Sequence, residues 1–307
     1  MTSVAAIDCG SNSTRLLVSN DSGTSLVREM RITRLSQGVD ANGSLTPEAI
    51  ERTLKVLREY RALMDEHDAT RGLLVATSAV RDANNGHEFL ATASAITGLE
   101  ARCLTGAQEA TFTYRGATAT LAQGSPSPLV VDIGGGSTEL AVMVDGVVVA
   151  HSMQLGCVRV TERALGVGVV DAARAATAVA LIASELDRAW REQPAFAGLS
   201  GHVSLVGVAG TVATLAQLIA GDVHYERARV HHRTVTRTDV QTWIATLSPL
   251  SPTERLALPG MMAGREDVLV AGLMILDAVM ERFGVASLIT SEDDILDGVV
   301  AHLGAAQ

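Results

Sequence analysis

Short apolar stretches, broken by glycine and by Ser-Gly or Asp-Gly turns, predict strands first along this chain. Residues 4–7 read as a strand. A hairpin then carries the chain through Leu16-Leu17-Val18 and the turn Asp21-Ser22-Gly23 to about residue 35. Thr46-Pro47 opens a helix, with threonine as cap and proline in the first turn, and Ile50, Leu54, Leu57 and Met64 share one of its faces. Residues 72–77 form a strand that delivers Ser78-Ala79-Val80-Arg81-Asp82 at its C-terminal end. Asn85, with Glu88 three residues on, starts a helix to about residue 97. A short strand at 100–104 follows, and Thr105 with Gln108 caps a helix reaching about residue 121.

Gln123-Gly124-Ser125-Pro126-Ser127-Pro128 has no period and marks a domain boundary, after which the plan repeats. Residues 129–131 end a strand, 140–144 form the next, and Asp145-Gly146 turns the chain into a third at 147–150. An alanine-rich helix spans about 171–191. The strand 203–208 runs into Ala209-Gly210-Thr211 and a helix to residue 220. Helical pieces at 237–247 and 252–256, a helix at 266–283, a strand at 287–290 and a last helix at 292–302, capped by Ser291, complete the chain.

The repeat is sharpest at two glycine-bearing hairpin tips. Laid under Asp132-Ile133-Gly134-Gly135-Gly136-Ser137-Thr138-Glu139-Leu140, the stretch Asp8-Cys9-Gly10-Ser11-Asn12-Ser13-Thr14-Arg15-Leu16 matches Asp8 to Asp132, Gly10 to Gly134, Ser13-Thr14 to Ser137-Thr138 and Leu16 to Leu140, at a constant offset of 132 − 8 = 124 residues. Glycine lets such a tip adopt φ > 0 and lets a ligand approach bare N–H groups, which together form an anion nest suited to phosphate. An aspartate at the strand end beside a phosphate commonly serves hydrated Mg²⁺. Two similar domains, each with a phosphate loop, follow from the pair. Arg15 stands where Glu139 does, so the two copies are not functionally equal.

Composition narrows the class. With 307 residues and 47% hydrophobic content the chain can build two cores, and with 3% aromatics those cores must be Val, Leu, Ile and Ala. No apolar run approaches the roughly 20 residues of a membrane span, and no signal peptide precedes the first strand. Cys9, Cys103 and Cys157 are odd in number without CxxC spacing, and read as buried reduced thiols of a cytoplasmic protein. A formal net charge of −10 argues against nucleic-acid binding. Phosphates would then be held locally, by N–H groups, metal and a few arginines.

The two loops resemble the paired phosphate motifs of the acetate/sugar kinase, actin and heat-shock chaperone superfamily. Within it they most resemble the exopolyphosphatase/guanosine pentaphosphate phosphohydrolase family, in a short form without that family's C-terminal helical domain. The resemblance implies an α/β fold of two ribonuclease H-like (actin-like) domains. Each would be a mixed five-stranded sheet with helices on both faces, and the active site would lie in the cleft between them. It assigns residues 1–123 with 292–307 to the first domain and 124–291 to the second.

Further blocks carry the likeness. Ala76-Thr77-Ser78-Ala79-Val80-Arg81-Asp82 resembles the family's arginine segment, with Arg81 implied to bind phosphate and offset transition-state charge. Leu104-Thr105-Gly106-Ala107-Gln108-Glu109-Ala110 resembles Gly-x-Glu-Glu-Ala, whose second glutamate, here Glu109, is the catalytic base. Read without the family, Glu109 is a carboxylate in a helix's first turn, where the dipole favours one. Gly10, Ser11, Asn12 and Ser13, with Gly134, Gly135, Gly136, Ser137 and Thr138, would bind phosphate. Asp132, Glu139 and Asp8 would hold Mg²⁺, with Mn²⁺ as an alternative.

Gly207-Val208-Ala209-Gly210-Thr211 resembles the superfamily's adenosine-side motif, or serves as a close strand–helix contact. The 258–267 and 291–298 blocks match as well, and the carboxylates of the latter read as caps and a solvated helix face. The basic stretch from His224 to Arg237 reads as solvated surface, or as a contact for a distal part of a polyanion. The expected activity is Mg²⁺-dependent release of orthophosphate from the ends of inorganic polyphosphate, by a homodimer. Guanosine pentaphosphate is the alternative substrate. A small-molecule kinase or actin-like ATPase, and a non-catalytic polyphosphate- or nucleotide-sensing module, are the alternatives of other classes. Because the sequence ends at Gln307, short polyphosphates and distributive cleavage are expected.

Overall fold

The computed structural model describes residues 3–20, 22–121, 127–221 and 224–305. Residues 123–126 of the expected linker, and Asp21 of the first turn, lie outside the described residues. The chain divides into two units, Met1–Gly116 with Asp294–Gln307, and Ala117–Asp293.

In the first unit, β1 (Ser3–Cys9), β2 (Ser13–Asn20), β3 (Ser25–Ile32), β4 (Arg71–Ala76) and β5 (Glu100–Cys103) form one sheet in the order β3-β2-β1-β4-β5. The first three strands are antiparallel, and β4 and β5 run parallel to β1. Every residue of β1 is buried, because helices cover both sheet faces, and this explains its unbroken apolar run. On one face Ala5, Ile7 and Cys9 pack with Leu57, Tyr60 and Met64 of the helix Pro47–Glu66. Thr46 caps that helix, accepting from the Ala49 N–H at 3.3 Å. On the other face Ala6, Leu17, Leu73 and Val75 meet Ile295, Leu296 and Val299 of the last helix, Ile295–Ala305. That helix approaches Gly106–Thr118 so closely that a Cβ on Gly298 would lie 2.7 Å from the Phe112 carbonyl carbon.

The second unit contains β6 (Pro128–Ile133), β7 (Thr138–Val144), β8 (Val147–Met153), β9 (Ser204–Val208), β10 (Thr234–Thr236) and β11 (Ser287–Thr290), in the order β10-β11-β9-β6-β7-β8. From β8 to β11 this repeats the order of the first sheet, the ribonuclease H-like topology, and its core is aliphatic around the buried helix Leu269–Phe283. The sheet has six strands rather than five. The extra one, Thr234-Val235-Thr236, pairs antiparallel with β11 and is too short to announce itself in sequence.

Local expectations needed correction in places. Asn85 does not cap its helix; its amide bonds both the N–H (2.8 Å) and the carbonyl (2.9 Å) of Leu45. The last helix starts at Ile295, with Asp294 accepting from the Leu296 N–H at 2.9 Å, while the Ser291 hydroxyl bonds the main chain of its neighbour Asp293. Cys9 and Cys157 are buried, but Cys103 is exposed. Among the described residues no helix is long and apolar enough to cross a membrane.

Candidate active site

Both glycine loops are the tips of β-hairpins and share one closed turn. The Gly10 N–H donates to the Ser13 carbonyl at 3.0 Å, and the Gly134 N–H to the Ser137 carbonyl at 3.0 Å. Each tip is tied from behind through its carbonyls. Ser36 donates its N–H to the Ser11 carbonyl, and Thr33 and Arg34 donate theirs to Asn12. In the second unit Cys157 donates to the Gly134 carbonyl, and Val158 and Arg159 to that of Gly135. Gly156 makes this approach possible, since a Cβ there would come within 2.5 Å of the Gly136 nitrogen. The N–H groups of Ser11, Asn12, Gly135 and Gly136 donate to nothing among the described residues. Because the peptide unit is planar, the N–H groups of Asn12, Gly135 and Gly136 point opposite to the tied carbonyls of Ser11, Gly134 and Gly135.

Cross-strand register decides what stands beside each loop. Asp8 lies opposite Arg15 and Asp132 opposite Glu139, the same two positions of each hairpin. In the first unit this gives an ion pair: Arg15 donates to Asp8 Oδ2 at 2.6 and 3.1 Å and also to Asp294. Burial pushes the Asp8 carboxyl upward against the pull of Arg15. Asp8 Oδ1 and Asn12 Nδ2 are buried with no hydrogen-bond partner among the described residues.

In the second unit the same positions hold two carboxylates, both buried. Glu139 accepts from Ser152 Oγ at 2.7 Å. Like charges directly opposite each other destabilise a strand pair, whereas a hard divalent cation takes carboxylate oxygens as ligands. Among the described residues no three His, Cys, Asp or Glu side chains gather as a metal cluster. Mg²⁺ does not need one, because it is usually held by one or two carboxylates with water and substrate phosphates.

The remaining expected residues of the first unit gather beside its loop. Ser11 Oγ lies 3.0 Å from Ser78 Oγ, linking the loop to the arginine segment. Arg81 Nη1 donates to the Leu104 carbonyl at 2.8 Å and to Glu109 Oε2 at 3.2 Å. Its Nε and Nη2 bond no described residue, which leaves that edge for an anion. Glu109 is buried at 7% exposure. Its helix starts where the sequence puts it: Gln108 N–H donates to Thr105 Oγ1 at 3.2 Å and Thr105 N–H to Gln108 Oε1 at 2.9 Å, a capping pair. Thr138 turns its hydroxyl back onto the Leu155 carbonyl, as Thr14 does onto Thr33.

Elsewhere the sequence reading changes. The 291–298 carboxylates are not a solvated face: Asp293 and Asp294 are 9% and 7% exposed, paired with Arg227 and Arg15. The basic stretch is partly neutralised, Arg227 by Asp293 and Arg229 by Glu226, and His231 stacks on His232. At Gly210 a Cβ would stand 2.7 Å from Arg265 Nε, and at Gly207 2.9 Å from Val212. Packing therefore accounts for Gly207 without a nucleoside, whereas at Gly210 the neighbour is the far end of the Arg265 side chain. Arg15 as the partner of Asp8 was missed, although the register of the first hairpin places it opposite that residue.

The profile of the Ppx/GppA phosphatase family matches residues 17–304. Exopolyphosphatase 2 of Mycobacterium tuberculosis is 39% identical over 320 residues, covering 99% of this chain and 99% of that protein. A guanosine-5'-triphosphate,3'-diphosphate pyrophosphatase of Aeromonas hydrophila is 30% identical over 303 residues, covering 97% of this chain and 59% of that protein. A solved exopolyphosphatase-like protein superposes with a TM-score of 0.91 at 32% identity, covering 99% of both chains.

Proposed function

The chain belongs to the Ppx/GppA phosphatase family, and from that membership we propose that it is an exopolyphosphatase, releasing orthophosphate from the ends of inorganic polyphosphate. The observation that carries the reading is the Arg81–Glu109 pair beside the first phosphate loop. A sensing module needs N–H groups and arginines, but it has no use for a buried carboxylate held at the anion's edge. Glu109 takes a proton from water as the water oxygen attacks the terminal phosphorus. The bridging P–O bond breaks, and the shortened chain leaves with the bond's electron pair. Arg81, fixed through Nη1, turns its other nitrogens to the transferring phosphoryl oxygens. The N–H groups of the first loop donate to the remaining oxygens.

Asp132 and Glu139 would hold Mg²⁺, which when bound screens the charge of the phosphates. Asp8, neutralised on one oxygen by Arg15, is the weaker ligand. The relative from Aeromonas makes guanosine pentaphosphate the second substrate to consider. Gly207, packed against Val212, needs no nucleoside to explain it, and this favours polyphosphate. Orthophosphate release from the two compounds at equal concentration tests the choice. Faster release from polyphosphate is expected, and release from guanosine pentaphosphate alone would reverse the assignment.

A further inference from the structure

The two loops are fixed from behind by different means. In the first, both tied carbonyls accept main-chain N–H groups, which any residue supplies. In the second, the carbonyls of Gly134 and Gly135 accept main-chain donors, but the carbonyl of Gly136 accepts a side chain, Arg159 Nε, at 2.7 Å. Arg159 is 9% exposed, and it lies in the helical turn Cys157–Val160 that also supplies the main-chain donors. Because a peptide unit is planar, fixing one carbonyl fixes the next residue's N–H in the opposite direction. The ties on Gly134, Gly135 and Gly136 therefore orient the N–H groups of Gly135, Gly136 and Ser137, in that order. Three successive glycines have no side chains to hold this shape and the widest backbone freedom to lose it. The first loop has Ser11 fastened to Ser78 as well.

We infer that Arg159 is a positioning residue for the second phosphate loop, setting the Gly136–Ser137 peptide so that the Ser137 N–H faces the bound phosphate. The inference rests on the reading of the loops as phosphate sites. It gives a role to a residue that the chemistry itself does not use. An arginine suits it, since the planar guanidinium donates to a carbonyl in a fixed direction and keeps its charge when buried. A lysine ammonium would keep the charge but not the direction.

The test compares wild type with Arg159→Lys and Arg159→Met by two-dimensional amide NMR, titrating tripolyphosphate, alongside thermal melts and steady-state phosphate release. In wild type the amides of Gly135, Gly136 and Ser137 should all shift on titration. In Arg159→Met the Ser137 shift should be lost, while those of Asn12 in the first loop and Gly135 remain. The value of kcat should fall by about tenfold or more, less than the 10²–10³ seen when such a donor is deleted outright. Arg159→Lys should leave Ser137 as disturbed as the methionine variant does, because direction rather than charge is lost. Intact Asn12 and Gly135 responses separate this from misfolding. If Ser137 shifts in Arg159→Met as in wild type, with unchanged kcat, the role of Arg159 is wrong and the phosphate reading stands. If none of these amides responds in wild type, the phosphate reading fails and this inference with it.

Discussion

Gly298→Ala sets a local rule against a tertiary one. Gly298 lies inside the helix Ile295–Ala305, where alanine is favoured over glycine by about 1 kcal/mol. Helix propensity alone therefore predicts stabilisation. The structure predicts the reverse, because the new Cβ would stand 2.7 Å from the Phe112 carbonyl carbon and nearer still to its oxygen. Normal contact needs about 3.5–4.0 Å, so the helix must withdraw by about 1 Å.

That helix docks through Ile295, Leu296 and Val299, each at most 2% exposed. Three such side chains contribute about 5–9 kcal/mol by burial. A gap of about 0.5–1 Å forfeits a quarter to a half of the contact energy, and the resulting loss is about 1–4 kcal/mol. The same shift loosens Asp294, which holds Arg15 and through it Asp8. Melts followed by far-UV circular dichroism and by urea titration read the effect. Both tryptophans, Trp190 and Trp243, lie in the second unit, so tryptophan fluorescence reports that unit separately. The expected result is a lower midpoint by circular dichroism and weakened catalysis. An unchanged or raised midpoint would show that the close helix contact is not there.

Activity should require Mg²⁺ and vanish in chelator, and Asp132→Asn should raise the Mg²⁺ needed for half-maximal rate, since one ligand charge is lost; full activity in chelator would sink the metal assignment. The net charge of −10 should repel long polyanions most at low salt, where the Debye length is about 30 Å at 0.01 M against about 10 Å at 0.1 M. Raising salt should therefore lift kcat/KM for long polyphosphate relative to tripolyphosphate, and an equal response of both would remove long-range charge from the account.

What could be read from sequence was what local rules control. Each hairpin tip and the capping pair that starts the Glu109 helix depend on residues within a few positions of one another, and the repeat of the tip was legible because the same short pattern recurs. Asn85 looked like a cap by the same rules. Its actual partner, Leu45, lies 40 positions away, and nothing nearby in the sequence names it. Asp293 and Asp294 sit in a run of acids that resembles a wet helix start. Their arginines come from elsewhere in the chain, and only the fold shows the run to be buried. Arg159 was invisible as a functional residue because its partner is a backbone carbonyl, which carries no sequence signal. The opposition of Asp132 to Glu139 was available in principle, because a two-strand register follows once the turn is known.

The central claim is that Glu109 is the base of a phosphoanhydride hydrolase. Glu109→Gln keeps the side chain's size, the helix start and an oxygen for Arg81 Nη1 to donate to, and removes only the ability to take a proton. Orthophosphate release from polyphosphate of defined length, measured with Mg²⁺ across substrate concentrations, separates kcat from KM. The account predicts that kcat falls by about 10²–10⁴ while KM stays within about twofold. A variant that turns over at the wild-type rate would contradict it, leaving Glu109 as a charge at a helix end.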